Sequence, residues 1–224
     1  MSVEYDDVAF ERLGHASFRI ESADGRICYV DPWSEVLGES EPHDASVVFV
    51  THDDFDHYDP EAIAAVSTDD TVVVAYEGVD TDDLDAGESI RSLAADGELA
   101  VDGIDVRAVP AYNRPDGDHV DDDGNPFHAE GEGVGLVLSI DGTTVFVVGD
   151  SDVLDEHESI SADVLIPPIG GHYTMDRHEA ATLTETIDPA LVLPVHYDTF
   201  EAIETDAEAF ETDVEAAGPT VRLF

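Results

Sequence analysis

The stretch of the sequence best suited to chemistry is HDDFDH at residues 52–57, which follows the apolar run ASVVFV. Imidazole and carboxylate groups are typical ligands of divalent metal ions. Aspartates alone are weak evidence, because 54 of the 224 residues are acidic. His52 and His57 carry more information, since the chain has only 10 histidines. The stretch predicts a metal site if other parts of the chain supply further ligands.

Two other apolar runs also end in side chains that can bind metals. Asp150 follows TVFVV, and His196 follows ALVLPV. Ligands tend to gather just outside the carboxyl ends of strands, so these residues are expected to converge on His52 and His57. We expect a further ligand from His128 in the long loop, in preference to His119, whose acidic surroundings predict an exposed position.

The elements that position these residues are short strands and helices. Residues 8–30 alternate apolar and polar positions and predict a β-meander, and Asp141 and Gly142 predict a hairpin turn. From residue 45, apolar strands precede segments with helical periodicity at 60–67, 176–187 and 201–217. We predict one domain over residues 1–224, of class α/β (α+β), in which sheets pack on one another with helices outside.

Residues 113–133 form the one long polar loop, and loops of this length in a compact domain are usually functional or mobile. The loop is rich in aspartate, which suggests calcium. The EF-hand pattern fails, however, because placing Gly124 at its glycine position puts His119 first.

Composition limits the classes of function. The formal net charge is −46, and all eight basic residues are arginine, so binding of nucleic acid through a basic patch is not expected. A strongly acidic surface suits concentrated salt, which predicts an extreme halophile. No apolar run is long enough for a membrane span and no signal peptide is visible, so we expect a cytoplasmic protein. Cys28 cannot form an intrachain disulfide and is expected to be buried.

The motifs LGHASFRI, FVTHDDFDH, PPIGGHYTMDRHEAA and PVHYDTF together resemble the metallo-β-lactamase fold superfamily. Within it, they are similar to the small metal-dependent hydrolases that include the ascorbate-phosphate lactonase group. The resemblance covers nearly the whole chain. It implies an αββα sandwich of two mixed sheets, packed face to face, with a two-metal site at one edge.

The resemblance also implies roles for individual residues. It places His52 on the first metal, Asp150 between the two metals, and His128 as the intermediate ligand. The ligands that it implies for the second metal are Asp56, His57 and His196. Asp54 stands where the family signature has its second histidine. Zinc remains the expected metal, but this carboxylate makes the ligand set harder and more favourable to manganese or iron.

The residues around the ligands have expected positions as well. We expect Asp54 to face the metal, Asp53 to point away and Phe55 to pack inward. His15 and Asp56 are the candidate catalytic residues, although His15 could equally be a buried structural histidine. Asp31 either holds a ligand histidine or opens a turn, and His172 is a weaker candidate for substrate contact. The histidines expected at the surface are His43, His157 and His178.

These ligand types favour hydrolysis of a small ester, lactone or phosphoester by a metal-activated hydroxide. Two alternatives stay open at this point. One is an iron-dependent oxidoreductase of the same fold, which only Asp54 favours, and the other is a metal-bound protein without catalytic activity. A homo-oligomer is compatible with the sequence.

Overall fold

Two seven-stranded mixed sheets form the centre of the computed structural model, which describes residues 2–84 and 89–223. The strands of the first sheet, in chain and spatial order, are β1 (Ser2–Tyr5), β2 (Val8–Gly14), β3 (Ser17–Glu21), β4 (Ile27–Val30), β5 (Ala45–Val50), β6 (Ser67–Tyr76) and β7 (Ser89–Leu93). The strands of the second sheet, in chain order, are β8 (Glu98–Val101), β9 (Ile104–Ala111), β10 (Gly133–Ile140), β11 (Thr143–Val147), β12 (Val164–Ile166), β13 (Leu191–Val192) and β14 (Thr220–Val221).

Both sheets have the same connectivity. Each begins with four antiparallel strands, β1 to β4 and β8 to β11, and continues with three parallel strands. The expected meander and the expected hairpin at Asp141 and Gly142 are both confirmed, and the hairpin pairs Ile140 with Thr143. Parallel strands direct their carboxyl ends toward one edge of a sheet, which is where side chains from distant segments can meet.

Four α-helices and two 3-10 helices complete the described residues. The α-helices are α1 (Ser34–Leu37), α2 (Pro60–Val66), α3 (Arg177–Ile187) and α4 (Ala207–Glu215). The 3-10 helices are Asp155–Ser159 and Glu201–Ile203. In the part of the chain that the structure describes, no helix has the length and apolar character needed to span a membrane.

Aspartate caps explain where the longer helices begin. Asp59 accepts hydrogen bonds from the first turn of α2, and Asp176 forms a capping box with Glu179 at the start of α3. The expectation of one helix over residues 201–217 is wrong. The side chain of Asp206 accepts a hydrogen bond from Ala209 and starts α4 there, which leaves only the 3-10 helix Glu201–Ile203 before it.

The sheets pack face to face through one apolar core, to which Phe10 and Phe18 contribute from the first sheet and Leu136 and Ile166 from the second. A second core lies under α3 and α4 and includes Leu183 and Phe210. Complete burial of such side chains contributes roughly 1.5–3 kcal/mol each. The expected αββα sandwich is confirmed. Cys28 is buried as expected.

Candidate metal centre

Eight side chains from distant parts of the chain meet at one edge of the sandwich, and we call them the edge cluster. Its members are His15, His52, Asp54, Asp56, His57, His128, Asp150 and His196. His52 to His57 follow β5, Asp150 follows β11, and His196 follows β13, as the strand ends predicted. His15 lies between β2 and β3, and His128 precedes β10. All members except Asp54 are buried.

Asp150 lies at the centre of this cluster. Its Oδ2 atom is 3.1 Å from Nε2 of His196 and 3.4 Å from Nε2 of His128. The Nε2 atoms of His57 and His52 lie 3.5 and 4.0 Å from the same oxygen. Four imidazoles therefore direct a nitrogen toward one buried carboxylate oxygen, and these are the ligand types that bind divalent metal ions.

Two groups of ligand candidates, neither of which includes Asp150, bring their potential ligand atoms close together. One group comprises His52, Asp54 and His128, and the other comprises His15, Asp56, His57 and His196. Within each group the potential ligand atoms lie within 4.8 Å of one another. Asp54 is half-exposed, and its Oδ2 is 3.3 Å from Nε2 of His128 and 3.7 Å from Nε2 of His52. The structure thus groups His128, rather than His119, with His52.

Several nitrogens of the edge cluster are buried without a hydrogen-bond partner. Among the described residues five buried side-chain nitrogen or oxygen atoms lack one, and four of these are imidazole nitrogens of the cluster. They are Nδ1 of His15, Nε2 of His52, Nε2 of His57 and Nδ1 of His196. Leaving a buried polar atom unpaired costs about 1–3 kcal/mol. Imidazole nitrogens and carboxylates in this arrangement fit divalent metal ions, which would satisfy the two Nε2 atoms.

Asp31 orients both histidines that follow β5. Its Oδ2 accepts a hydrogen bond from Nδ1 of His57 at 2.8 Å and from Oγ1 of Thr51 at 2.6 Å. The Thr51 hydroxyl also lies 2.8 Å from Nδ1 of His52. Nε2 of each ring is thereby directed into the cluster, which is how outer hydrogen bonds prepare histidine ligands. Of the two roles expected for Asp31, the structure shows the one that holds a histidine.

A second group, which we call the loop cluster, comprises the buried residues Asn113, His119 and Asp152 and the partly exposed Glu179. Asp152 accepts a hydrogen bond from Nδ1 of His119 at 2.7 Å and from Nδ2 of Asn113 at 2.9 Å. Nε2 of His119 faces Glu179 at 3.6 Å. The expectation that His119 is exposed is therefore wrong, because Asp152, 33 residues away, pairs with its ring and allows burial.

Asn113 joins the loop cluster to the edge cluster. Its Oδ1 atom accepts the backbone N–H of His128 at 2.8 Å and lies 3.2 Å from Nδ1 of that ring. These contacts leave Nε2 of His128 free to face Asp54 and Asp150. This role was not predicted from the sequence, where the only signal was the position of Asn113 two residues after β9.

Three residues at the site have left-handed backbone conformations, which are uncommon for residues other than glycine. The φ angles are 50° for His15, 44° for Asp31 and 55° for His196. The turns of His15 and His196 are joined, since the His196 N–H donates to the His15 carbonyl at 3.0 Å. Arg12 donates to the carbonyls of His15 and Tyr197 and so holds the same junction.

The surroundings of Asp150 keep its carboxylate ionised among the four imidazoles. Burial alone would raise the pKa of Asp150, but His196 and His57 hold it well below its usual range. Burial opposes protonation of His57, yet Asp150 and Asp31 raise its pKa well above the ordinary value. Burial and the nearby His57 lower the pKa of His52 to about 4. Asp54 and Asp150 also raise the pKa of His128 against the effect of burial, so protons compete with metal ions at His57 and His128.

His15 and Asp56 form a hydrogen-bonded pair at the edge cluster. Nε2 of His15 lies 2.9 Å from Oδ2 of Asp56. Burial lowers the pKa of His15 to about 4, although Asp56 acts in the opposite direction. Burial would raise the pKa of Asp56, but the hydrogen bond to His15 and the charge of His57 lower it to about 2. At neutral pH a neutral imidazole therefore donates to an ionised carboxylate.

Other expected positions are partly confirmed. Asp53 is exposed, as expected. The expectation that Phe55 packs inward is wrong, because its side chain is 68% exposed and only contacts Trp33 edge-on, with ring centroids 5.9 Å apart. His172 is exposed and lies against Phe127 and Tyr173, outside the edge cluster.

Of the histidines expected at the surface, His43 and His178 are exposed. The prediction for His157 is wrong, since this residue is fully buried. Its Nε2 bonds to the Pro110 carbonyl at 2.9 Å, and its ring packs against Phe146. The acidic neighbours in sequence face solvent, whereas the imidazole finds its partner 47 residues away.

The chain is similar to known proteins over most of its length. The family model described as the β-lactamase superfamily domain matches residues 10–196. A UPF0173 metal-dependent hydrolase of Thermofilum pendens is 34% identical, with 93% of this chain and 91% of the relative covered. Another from Methanopyrus kandleri is 31% identical and covers 94% of this chain and 93% of its own.

A solved structure shares the fold over nearly the whole chain. It is Igni18, a metallo hydrolase from the hyperthermophilic archaeon Ignicoccus hospitalis, at 27% identity. The TM-score is 0.78, and the comparison covers 97% of this chain and 94% of Igni18. The chain therefore belongs to the β-lactamase superfamily and, within it, to the UPF0173 metal-dependent hydrolases.

Proposed function

We propose that this hydrolase cleaves an ester, lactone or phosphoester at a site for two divalent metal ions that share Asp150. The observation that carries the proposal is the position of Asp150 Oδ2 within 4.0 Å of four imidazole Nε2 atoms. His52, Asp54 and His128 would hold one metal ion. Asp56, His57 and His196 would hold the other.

The ligand set supports zinc most directly, since imidazole and carboxylate are its usual nitrogen and oxygen ligands. Asp54 adds a hard, negatively charged donor to the group of His52 and His128, so manganese or iron would also fit. A pair of such cations, when bound, would lower the pKa of a bound water toward 7 and polarise the scissile carbonyl or phosphoryl group.

We assign proton transfer during the reaction to Asp56, with His15 as its hydrogen-bond partner. Asp56 is ionised at neutral pH, so its carboxylate can accept a proton from the attacking water and pass it to the leaving oxygen. His15 keeps that carboxylate in place by donating from Nε2. In the reaction, the water oxygen bonds to the carbonyl carbon or to phosphorus. The bond to the leaving oxygen breaks, and that oxygen receives the proton.

The test is hydrolysis of a panel of 4-nitrophenyl esters, lactones and phosphodiesters by protein purified in high salt. Activity should fall to background after chelation and return when zinc, manganese or iron(II) is added back. His178→Ala serves as a control, because His178 is exposed and lies outside the edge cluster. Metal bound without hydrolysis of any substrate in the panel would instead favour a non-catalytic binding protein.

A further inference from the structure

One side of the edge cluster opens into a cavity with an aromatic wall. The cavity has a volume of about 390 Å³, within the range of small-molecule sites. Its lining residues are Asp54, Phe55, Asp56, His128, Asp150, Tyr173, His196 and Phe200. The candidate metal ligands thus form one side of this cavity, and three aromatic side chains form the other.

Two of the three aromatic side chains of this wall pack against Trp33. This tryptophan is buried, and the ring centroids of Phe55 and Phe200 each lie 5.9 Å from its own. Phe200 also lies 5.4 Å from the ring of His15. Phe55 is 68% exposed, and the only other large hydrophobic residue exposed in residues 2–84 and 89–223 is Ile90. Phe55 lines the same cavity as Tyr173 and Phe200, and pockets for small ligands are lined mainly by apolar and aromatic side chains.

The charges around the cavity disfavour a second anionic group on the ligand. None of the eight arginines, all of which lie in the described residues, lines this cavity, and the chain has no lysine. The adjoining cavity on the side of His52 has a volume of about 310 Å³ and also lacks arginine. Asp53 and Glu132 line it instead. A carboxylate or phosphate beyond the reacting group would therefore lose its hydration without gaining a cationic partner.

On the basis of the proposed function, we infer that the substrate is an uncharged ester or lactone with an apolar aryl or alkyl group that packs against Phe55, Tyr173 and Phe200. The reacting carbonyl would face Asp150 and the ligand histidines. Water adds its oxygen to the carbonyl carbon, the carbon–oxygen bond to the leaving alcohol breaks, and the alcohol takes up the proton. No oxidant or other reactant is required.

A matched pair of esters tests the charge preference. In 4-nitrophenyl butyrate and 4-nitrophenyl hemisuccinate the leaving group is the same, but the second carries a terminal carboxylate. We expect kcat/KM for the butyrate to be at least about tenfold higher, because the hemisuccinate must desolvate a charge against aromatic rings. Equal values, or a preference for the hemisuccinate or for a charged phosphomonoester, would overturn the inference and leave the proposed hydrolase intact.

Substitutions in the wall test the apolar contact. Phe55→Ala should lower kcat/KM for the butyrate about tenfold, mainly through a higher KM, with metal content unchanged. Phe200→Ala should act in the same direction. Ile90→Ala removes an exposed apolar side chain at a distance from the cavity and should leave the kinetics unchanged. The same kinetics for Phe55→Ala and Ile90→Ala would overturn the inference.

Binding without catalysis separates this inference from the proposed function. Trp33 is the only tryptophan, so its fluorescence reports on the wall directly. In chelator-treated protein, 4-nitrobenzyl alcohol should quench Trp33 saturably, and Phe55→Ala should raise its apparent Kd severalfold while Ile90→Ala does not. If no ester is hydrolysed but this binding is seen, the proposed function fails and the apolar site stands. If neither variant changes the quenching, the apolar site fails.

Discussion

The edge cluster and the loop cluster are both buried groups of histidine and carboxylate side chains, but they differ in how fully their hydrogen bonds are made. In the loop cluster, Asp152 accepts a hydrogen bond from Nδ1 of His119, and none of the cluster's buried side-chain nitrogen or oxygen atoms lacks a partner. In the edge cluster, Nε2 of His52 and Nε2 of His57 are buried without a partner. Buried polar groups are normally satisfied, so the loop cluster needs no ligand, whereas the edge cluster does. Burial of a histidine is therefore weaker evidence of function than an unsatisfied nitrogen.

The largest expected effect is unfolding of the whole protein at low salt, which would disrupt both clusters. With a net charge of −46, repulsion acts over about 10 Å at 0.1 M salt, so we expect the protein to unfold as salt is removed. Burial raises the pKa of the Cys28 thiol to about 12, so it should react with a disulfide reagent at pH 8 only after unfolding. Circular dichroism and thiol labelling during dialysis provide the measurement. A folded protein with unreactive Cys28 at low salt would contradict the halophilic prediction.

Substitution within the edge cluster should affect activity far more than stability. His52→Ala removes one candidate ligand and should lower hydrolysis at least about a hundredfold. The free energy of unfolding of the metal-free protein should change little at neutral pH, because the imidazole that is removed is uncharged and its buried Nε2 atom has no partner. Rates and denaturant titrations should be compared with those of His178→Ala. A marked loss of metal-free stability with retained activity would place His52 with the structural histidines.

Asn113 should show an intermediate effect, because it contacts both clusters. Asn113→Ala removes the acceptor for His128 and a donor to Asp152, so metal affinity should fall about 10–100-fold. The free energy of unfolding should also fall by about 1–3 kcal/mol, since Asp152 loses a buried partner. Competition with a chromophoric chelator measures the affinity. Asn125→Ala, in an exposed turn, is the matched control, and equal affinities in the two variants would refute the positioning role.

The smallest expected effect concerns His157, which resembles His119 in being buried with its polar contacts made. Burial lowers its pKa in the folded state, so the unfolded chain takes up a proton more readily. Its stabilising contribution should be complete above about pH 6.5 and decline as the pH falls further. His157→Gln should therefore lose less stability between pH 7 and pH 5 than the unsubstituted protein. If the free energies of unfolding of the two proteins fall by the same amount between pH 7 and pH 5, the assignment is contradicted.

Much of this arrangement could be predicted from the sequence, because it depends on local patterns. The strand ASVVFV and the residues after it share one segment, and strand ends meet at one sheet edge, so His52, Asp150 and His196 could be placed together. The positions of His119 and His157 could not be predicted. Their partners lie 33 and 47 residues away along the chain. The acidic residues next to each histidine in the sequence predicted exposure, although both histidines are buried.

The backbone turns at the site could not be predicted from the sequence either. The left-handed conformations of His15 and His196 occur in turns that are far apart in the sequence and joined by a hydrogen bond from the His196 N–H to the His15 carbonyl. Phe55 was expected to pack inward, but the turn after β5 exposes it beside the cavity. Tertiary contacts and ligand binding, rather than local preference, decide such positions.

Metal stoichiometry of the protein purified in high salt tests the central claim most directly. The account predicts two metal ions per chain in the unsubstituted protein, and loss of paired binding in Asp150→Ala with the circular dichroism spectrum unchanged. Asp69→Ala, at an exposed position on β6, should retain both ions. Two metal ions per chain in Asp150→Ala would contradict the bridging role of Asp150 and, with it, the proposed two-metal site.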